Sequence, residues 1–177
     1  MRSNDSLDWV AIYTIGHSNI ELERFLSLLD GIEAVVDVRS MPFSKYASQF
    51  NIRNIKIALE SVGREYIFMK DEHVGNVLGG RPRDKDCYED GKVVYEKIMK
   101  NEWYKAGISA LIELASKKRT AIMCSEEDPY KCHRHHLISQ SLLKEGVRVF
   151  HIRKDGNLEE ANKEKRPPKL VTLLDYS

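Results

Sequence analysis

The sequence predicts an α/β fold: a single three-layer domain with a mostly parallel sheet of about five strands and helices on both faces. Three observations predict it. Short apolar runs recur along the 177 residues, separated by stretches with helical periodicity. The run at 34–39, Ala-Val-Val-Asp-Val-Arg, is β-branched and almost wholly apolar, as a strand covered on both faces requires. Strands alternating with helices imply right-handed crossovers, so the strand-to-helix loops emerge at one edge, where open α/β sheets bind ligands.

The elements follow in order. Residues 1–9 read as a polar lead-in, 10–153 as the α/β domain, and 154–177 as a charged tail whose apolar run, 170–174, docks onto the body. The first strand, 10–15, ends at Gly16-His17-Ser18-Asn19. Ser18 and Glu21 stand at capping-box spacing, so a helix is expected near Asn19, with Phe25, Leu28, Leu29 and Ile32 at helical spacing. After the second strand comes Ser40-Met-Pro-Phe-Ser44, then a helix over 51–62 with Ile52, Ile55, Leu59 and Val62 on one face. A third strand covers 64–69. The polar segment 70–92, holding Leu78-Gly79-Gly80-Arg81, reads as irregular; segments of this length are usually functional or disordered. A long helix is expected over 93–117, weakened in the middle by Gly107. The fourth strand ends at Cys124. Asp128-Pro129 then reads as a cap and first helical position, opening a helix that carries Cys132, His133, Arg134, His135 and His136. The fifth strand is 148–152.

Composition narrows the function classes. Lys and Arg number 28 against 27 Asp and Glu, so no global field attracts nucleic acid or an anionic membrane. Two basic clusters, Arg81 to Lys85 and Arg148 with Arg153 and Lys154, leave a local nucleic-acid rim as an alternative. Three cysteines without a secretory leader point to free or metal-bound thiols in a reducing compartment, hence to the cytoplasm. No run approaches the ~18 apolar residues of a membrane span.

Chemistry concentrates between Cys124 and His136. Cys124 sits where a strand delivers a side chain to a loop, with His133 and Arg134 close enough in sequence to activate a thiol. Glu126 is the general acid/base candidate, being an acid just beyond a buried strand. Glu127 and Asp128 better suit a helix N-terminus. Asp37 in an apolar strand needs a partner, and Arg39 shares its side of the pleat. Cys132 and His136, four apart on a helix, could complete a divalent-metal site with Cys124, although Cys-x7-Cys fits no common zinc arrangement. Nothing in the sequence requires a cofactor. Thiol phosphatases carry an arginine close after the cysteine; here the next one, Arg134, is ten positions on, behind three carboxylates that would repel phosphate.

These pieces resemble the domain-of-unknown-function 488 (DUF488) family, with its Cys-x-Glu…Cys-His-Arg signature. The matching residues are Thr14-Ile-Gly-His-Ser18, Asp37-Val-Arg-Ser40 with Pro42 and Ser44, Leu78-Gly-Gly80, Cys124, Glu126, Asp128-Pro129 and Cys132-His-Arg134. The resemblance implies a compact intracellular α/β domain and leaves the chemistry open. It implies as site members His17, Ser18, Asp37, Arg39, Gly79, Gly80, Cys124, Glu126, Cys132, His133 and Arg134. The resulting expectation is a small enzyme acting on a polar or anionic small molecule in a cleft at the carboxyl edge. Glu126, Cys124, Cys132 and His133 would be catalytic; His17, Ser18, Asp37, Arg39, Gly79, Gly80, Arg81 and Arg134 would bind substrate. The alternatives are a non-catalytic nucleic-acid- or protein-binding module, and a thiol redox sensor or metal-binding protein.

Overall fold

Every residue of β2 (Ala34–Asp37) is buried, and so is every residue of β8 (Thr120–Cys124), which places both in the middle of a covered sheet. The computed structural model describes residues 10–165. The other strands of this sheet are β1 (Ala11–Gly16), β3 (Glu65–Ile67), β9 (Arg148–Ile152) and β10 (Leu158–Glu160). Among the described residues the order is β10-β9-β1-β8-β2-β3, with every pairing parallel except that of β10 with β9.

Period-two alternation sorts the strand residues into two cores. Ile12, Val36, Val38, Ile122 and Val149 pack with Ile108 and Leu111 of α4 (Glu102–Lys117), and with Leu137, Ile138 and Leu142 from the helix after β8. Ile15, Val35, Ala121, Met123 and Ile152 pack on the other face with Phe25 of α1 (Leu22–Leu28) and Ile55 and Leu59 of α2 (Ile52–Ser61). The result is helix, sheet, helix. Connections leave the adjacent strands β1 and β8 toward opposite faces, which makes their carboxyl ends a topological switch point.

Several expected elements take a different form. Ser18 does not cap the first helix; it adopts a left-handed φ of 46°, and α1 begins after Glu21 with no side-chain cap. The long helix is broken at Asn101, which is extended (φ −75°, ψ 137°), separating α3 (Tyr95–Lys100) from α4. Gly107 interrupts nothing. A Cβ there would lie 2.9 Å from Val77 Cγ2 and 3.1 Å from Leu78 Cδ2, so glycine lets α4 pack closely on the Val77 and Leu78 side chains. Segment 70–92 is not wholly irregular: β4 (Lys70–Asp71) pairs with β5 (Gly75–Asn76), and β6 (Tyr88–Glu89) with β7 (Lys92–Val93). The sixth strand, β10, was not expected. The apolar run 170–174 lies outside the described residues. Among the described residues no helix is long and apolar enough to cross a membrane.

Candidate functional site

The loops after β1 and β8 run side by side. His17 N–H donates to Cys124 O (3.0 Å) and Ser18 N–H to Ser125 O (2.7 Å). Gly16 makes this approach feasible, because a Cβ at that position would lie 1.6 Å from the Glu126 carbonyl oxygen. The same folding-back turns Glu126 around. Its carbonyl, not its carboxylate, faces inward and accepts Arg134 Nη2 (2.8 Å); the side chain is exposed and has no hydrogen-bond partner among the described residues. The expected acid/base therefore points to solvent.

Arg134 is engaged by the chain itself. It is fully buried and clamps the loop, donating to the carbonyls of Glu126 and Glu127 (2.6 Å) and, through Nη1, to Thr14 Oγ1 (2.6 Å). Glu127 leaves the helix terminus to pair with Arg153, while Asp128 caps a short 3₁₀ turn through Tyr130 N–H. Of the basic residues proposed as a rim, Arg148 pairs with Glu160 and Arg153 with Glu127 and Glu159, which neutralises that part of it.

Cys132 is not a helix residue. After the 3₁₀ turn Pro129–Lys131 it is extended (φ −140°, ψ 144°), and its carbonyl accepts the N–H groups of His135 and His136. The helix that follows is π-wound over Arg134–Ser139 before continuing as α5 (Gln140–Lys144), a local form frequent at functional sites. This start changes which histidine meets the thiols. His136 turns away to Tyr130 O (2.7 Å) and Glu164, and His135 Nε2 lies 3.3 Å from the same carboxylate. His133 replaces it: its Nδ1 lies 3.8 Å from both Cys124 Sγ and Cys132 Sγ. The Cys124, Cys132 and His136 metal set of the sequence reading is thus corrected to Cys124, Cys132 and His133, whose ligand atoms all lie within 4.8 Å of one another.

The imidazole of His133 is held from behind. Nε2 donates to Val38 O (2.9 Å) and Leu78 O (3.1 Å), which fixes the proton there and turns Nδ1 toward the sulfurs. Gly80 lies flat against the ring, since a Cβ would come within 2.8 Å of His133 Cγ; Gly79 similarly admits Ser40 Oγ, which would be 2.5 Å from its Cβ. The two glycines thus pack the site and need not touch a substrate. Burial disfavours the charged form of His133, but Cys124 and the two carbonyls outweigh it and raise its pKa. The hydrogen bond to Cys132, then burial, pushes the Cys124 thiol well up. Burial opposes ionisation of Cys132 too, yet Cys124, the Arg134 charge and the Arg134 N–H bring its thiol below the usual value.

Across the sheet edge lies a charged network. Arg39 donates Nε to Asp37 Oδ1 (2.9 Å), Nη2 to Asp37 Oδ2 (2.7 Å) and Nη1 to His17 Nε2 (3.1 Å). His17 Nδ1 donates to Ser18 O (2.6 Å), and the ring stacks on Phe50 at 4.4 Å. Burial, with the Arg39 charge, lowers the His17 pKa to about 4, so the ring is neutral at pH 7. Three residues escaped the sequence reading: Tyr66, whose hydroxyl donates to Asp37 Oδ2 (2.6 Å), Phe50, and Asn76, whose amide donates to the carbonyls of Asp37 (2.7 Å) and Arg39 (3.0 Å). Asn76 had one legible signal, an amide side chain two residues before Leu78-Gly79. Ser18 and Arg81 are exposed.

The structure therefore brings together His17, Asp37, Arg39, Gly79, Gly80, Cys124, Cys132 and His133, and sets Ser18, Arg81, Glu126 and His136 apart. The gathered side chains are buried, His17 at 2%, Arg39 at 3% and His133 at 9% exposure, instead of lining an open cleft. Clefts of about 310 and 450 Å³ lie elsewhere, against Tyr13, Arg24 and Arg119 and against Arg153 and Asn157 respectively.

Fold and site together define a small three-layer α/β protein with a buried thiol–imidazole corner at a topological switch point. The family model for the domain of unknown function DUF488 matches residues 21–140, about two thirds of the chain, and the chain belongs to that family. The match spans Asp37, Arg39, Gly79, Gly80 and the segment from Cys124 to Arg134, while Gly16-His17-Ser18 precede it. No curated protein and no solved structure matches the chain.

Proposed function

We propose that the chain is a small enzyme acting on a polar or anionic small molecule at the carboxyl edge of its sheet, with Cys124, Cys132 and His133 as reacting groups. The observation that carries this is the crowding of hydrogen-bonded titratable groups at one edge: His17, Arg39 and Tyr66 about Asp37, and Cys124 and Cys132 about His133. Burying such groups is a poor way to gain stability, because desolvation offsets the attraction between paired charges. Arg39, fixed by Asp37, supplies a positive charge beside the thiols. The loop that follows Arg39 carries Met41, Phe43 and Tyr46 exposed to solvent. The free thiols suit a reducing cytoplasm. The test is a turnover screen of polar and anionic metabolite classes with wild-type protein, Cys132→Ser and His133→Gln. Turnover lost in both variants at unchanged circular dichroism is expected; turnover unaffected by both substitutions refutes the reading.

One observation favours a second reading, a thiol redox sensor: Cys124 and Cys132 share one imidazole nitrogen. Treatment with hydrogen peroxide should then give a Cys124–Cys132 disulfide by mass spectrometry, and free thiols after treatment exclude it.

A further inference from the structure

From the donor geometry we infer that Cys124, Cys132 and His133 form a three-ligand site for a thiophilic divalent cation, zinc above all, with a fourth position left for water or substrate. The inference takes the site of the enzyme reading and adds a metal to it.

The distances are the first argument. Zinc binds thiolate sulfur at about 2.3 Å and imidazole nitrogen at about 2.0–2.1 Å, and a tetrahedral angle between them sets sulfur and nitrogen about 3.6 Å apart. His133 Nδ1 stands 3.8 Å from Cys124 Sγ and 3.8 Å from Cys132 Sγ. Both sulfur–nitrogen distances are thus within about 0.2 Å of the tetrahedral spacing, and the three ligand atoms all lie within 4.8 Å of one another. Two hydrogen-bonded thiols need no such symmetry about one nitrogen.

The surroundings are the second argument. Metal-bound imidazoles normally donate their other N–H to a carboxylate or carbonyl, which sets the tautomer and aims the ligand. His133 Nε2 does so twice, to Val38 O and Leu78 O, and Gly80 backs the ring. The Arg134 N–H donates to Cys132 Sγ (3.5 Å), as outer groups do to a ligating thiolate. Two thiolates and one imidazole favour zinc over magnesium or calcium, which prefer oxygen. Binding exchanges the two thiol protons for the dication, leaving the ligand set neutral beside Arg39 and Arg134.

Common zinc spacings describe ligands on one knuckle or one helix, whereas Cys124 ends a strand and Cys132 leaves a separate turn. The other nearby donor group, His135, His136 and Glu164, is less suited, because His136 Nδ1 and Glu164 Oε1 are 2.5 Å apart, much closer than two ligands of one ion.

The test uses the full chain, stripped with a chelator under reducing, oxygen-free conditions and titrated with cobalt(II) as the spectroscopic probe. One equivalent should give the visible bands of tetrahedral cobalt and a near-ultraviolet thiolate-to-metal band. Cys132→Ser and His133→Gln should weaken binding at least tenfold, and His136→Ala should leave it unchanged. Should a variant misfold, X-ray absorption of the zinc-loaded wild-type protein decides, with two sulfur and at least one nitrogen neighbour expected. Absence of the thiolate band, or binding lost in His136→Ala but kept in Cys132→Ser, overturns the site. Bound cobalt with no turnover in the screen would sink the enzyme reading alone; turnover undiminished in metal-free protein would sink the metal's part in it.

Discussion

Asp37→Asn is the most direct test of the network that positions Arg39. The Asp37 carboxylate accepts four hydrogen bonds: Arg39 N–H (3.1 Å) and Nε (2.9 Å) on Oδ1, Arg39 Nη2 (2.7 Å) and Tyr66 OH (2.6 Å) on Oδ2. Asparagine keeps the two on its carbonyl oxygen, but its amide turns a donor toward the guanidinium Nη2, which is itself a donor. Arg39 is only 3% exposed and loses its countercharge. Breaking a buried pair by removing one partner costs about 3–5 kcal/mol. At about 2–4 °C per kcal/mol for a chain of this size, the melting midpoint should fall by about 6–20 °C. Urea unfolding at pH 7 measures the same loss as a lower midpoint with an unchanged slope. Replacing both partners, Asp37→Leu with Arg39→Met, should recover much of it, since no buried charge is then left alone. A single-variant loss under about 1 kcal/mol, or a double variant worse than the single, would show that water already solvates Arg39 and that the network is not dry.

Two further outcomes follow from other parts of the structure. His151 is buried, with Nδ1 on Thr14 Oγ1 (2.6 Å), and burial together with the Arg134 charge lowers its pKa to about 3. The unfolded chain binds a proton near pH 6.5 that the folded chain refuses, so stability is lost as the pH falls below 6.5; by pH 5 the loss from this group is about 2 kcal/mol. Urea midpoints measured from pH 7 to pH 5 should decline less steeply in His151→Gln, and equal slopes would contradict the assignment. Gly80→Ala should cost about 1–3 kcal/mol by overpacking, because its Cβ meets the His133 ring at 2.8 Å and the ring is pinned by two carbonyls. It should also weaken cobalt binding, and a wild-type midpoint would show that the ring is free to move.

The layer order was legible because periodicity is set by burial. The run 34–39 reads as a strand covered on both faces, and the strand found there, 34–37, is buried throughout; Ile55 and Leu59 recur at helical spacing and pack on one face of the sheet. Cys124, Asp37 and Arg39 were legible for a related reason, since a polar or reactive side chain at the end of an apolar strand has few places to go. What failed was reasoning by spacing through the loop. Its place just past a buried strand makes Glu126 the general acid/base candidate, but the backbone folds over Gly16 and presents its carbonyl to Arg134. A spacing of four pairs His136 with Cys132 on an α-helix, but Cys132 is extended and the next turns are π-wound, which brings His133 to the thiols instead. Neither change has a residue-level signature, because both depend on contacts with β1 and with Gly79-Gly80 from distant parts of the chain.

The glycines then acquire a common meaning. Gly16 admits the loop that brings Arg134 down onto Thr14; Gly80 admits the imidazole of His133; Gly107 admits Val77 and Leu78, whose backbone carries one of the carbonyls holding that imidazole. None of the three has a positive φ, so each is glycine for closeness and not for a turn. Two of these close approaches, at Gly80 and Gly107, bear on the His133 ring, and the third holds the loop that precedes it. A ring whose only task was to fill space could be packed without two carbonyls behind it and two sulfurs in front. The cost of assembling that environment is intelligible when Nδ1 must point at a fixed place between Cys124 and Cys132, which is what a ligand or a proton-transfer group requires and a core residue does not.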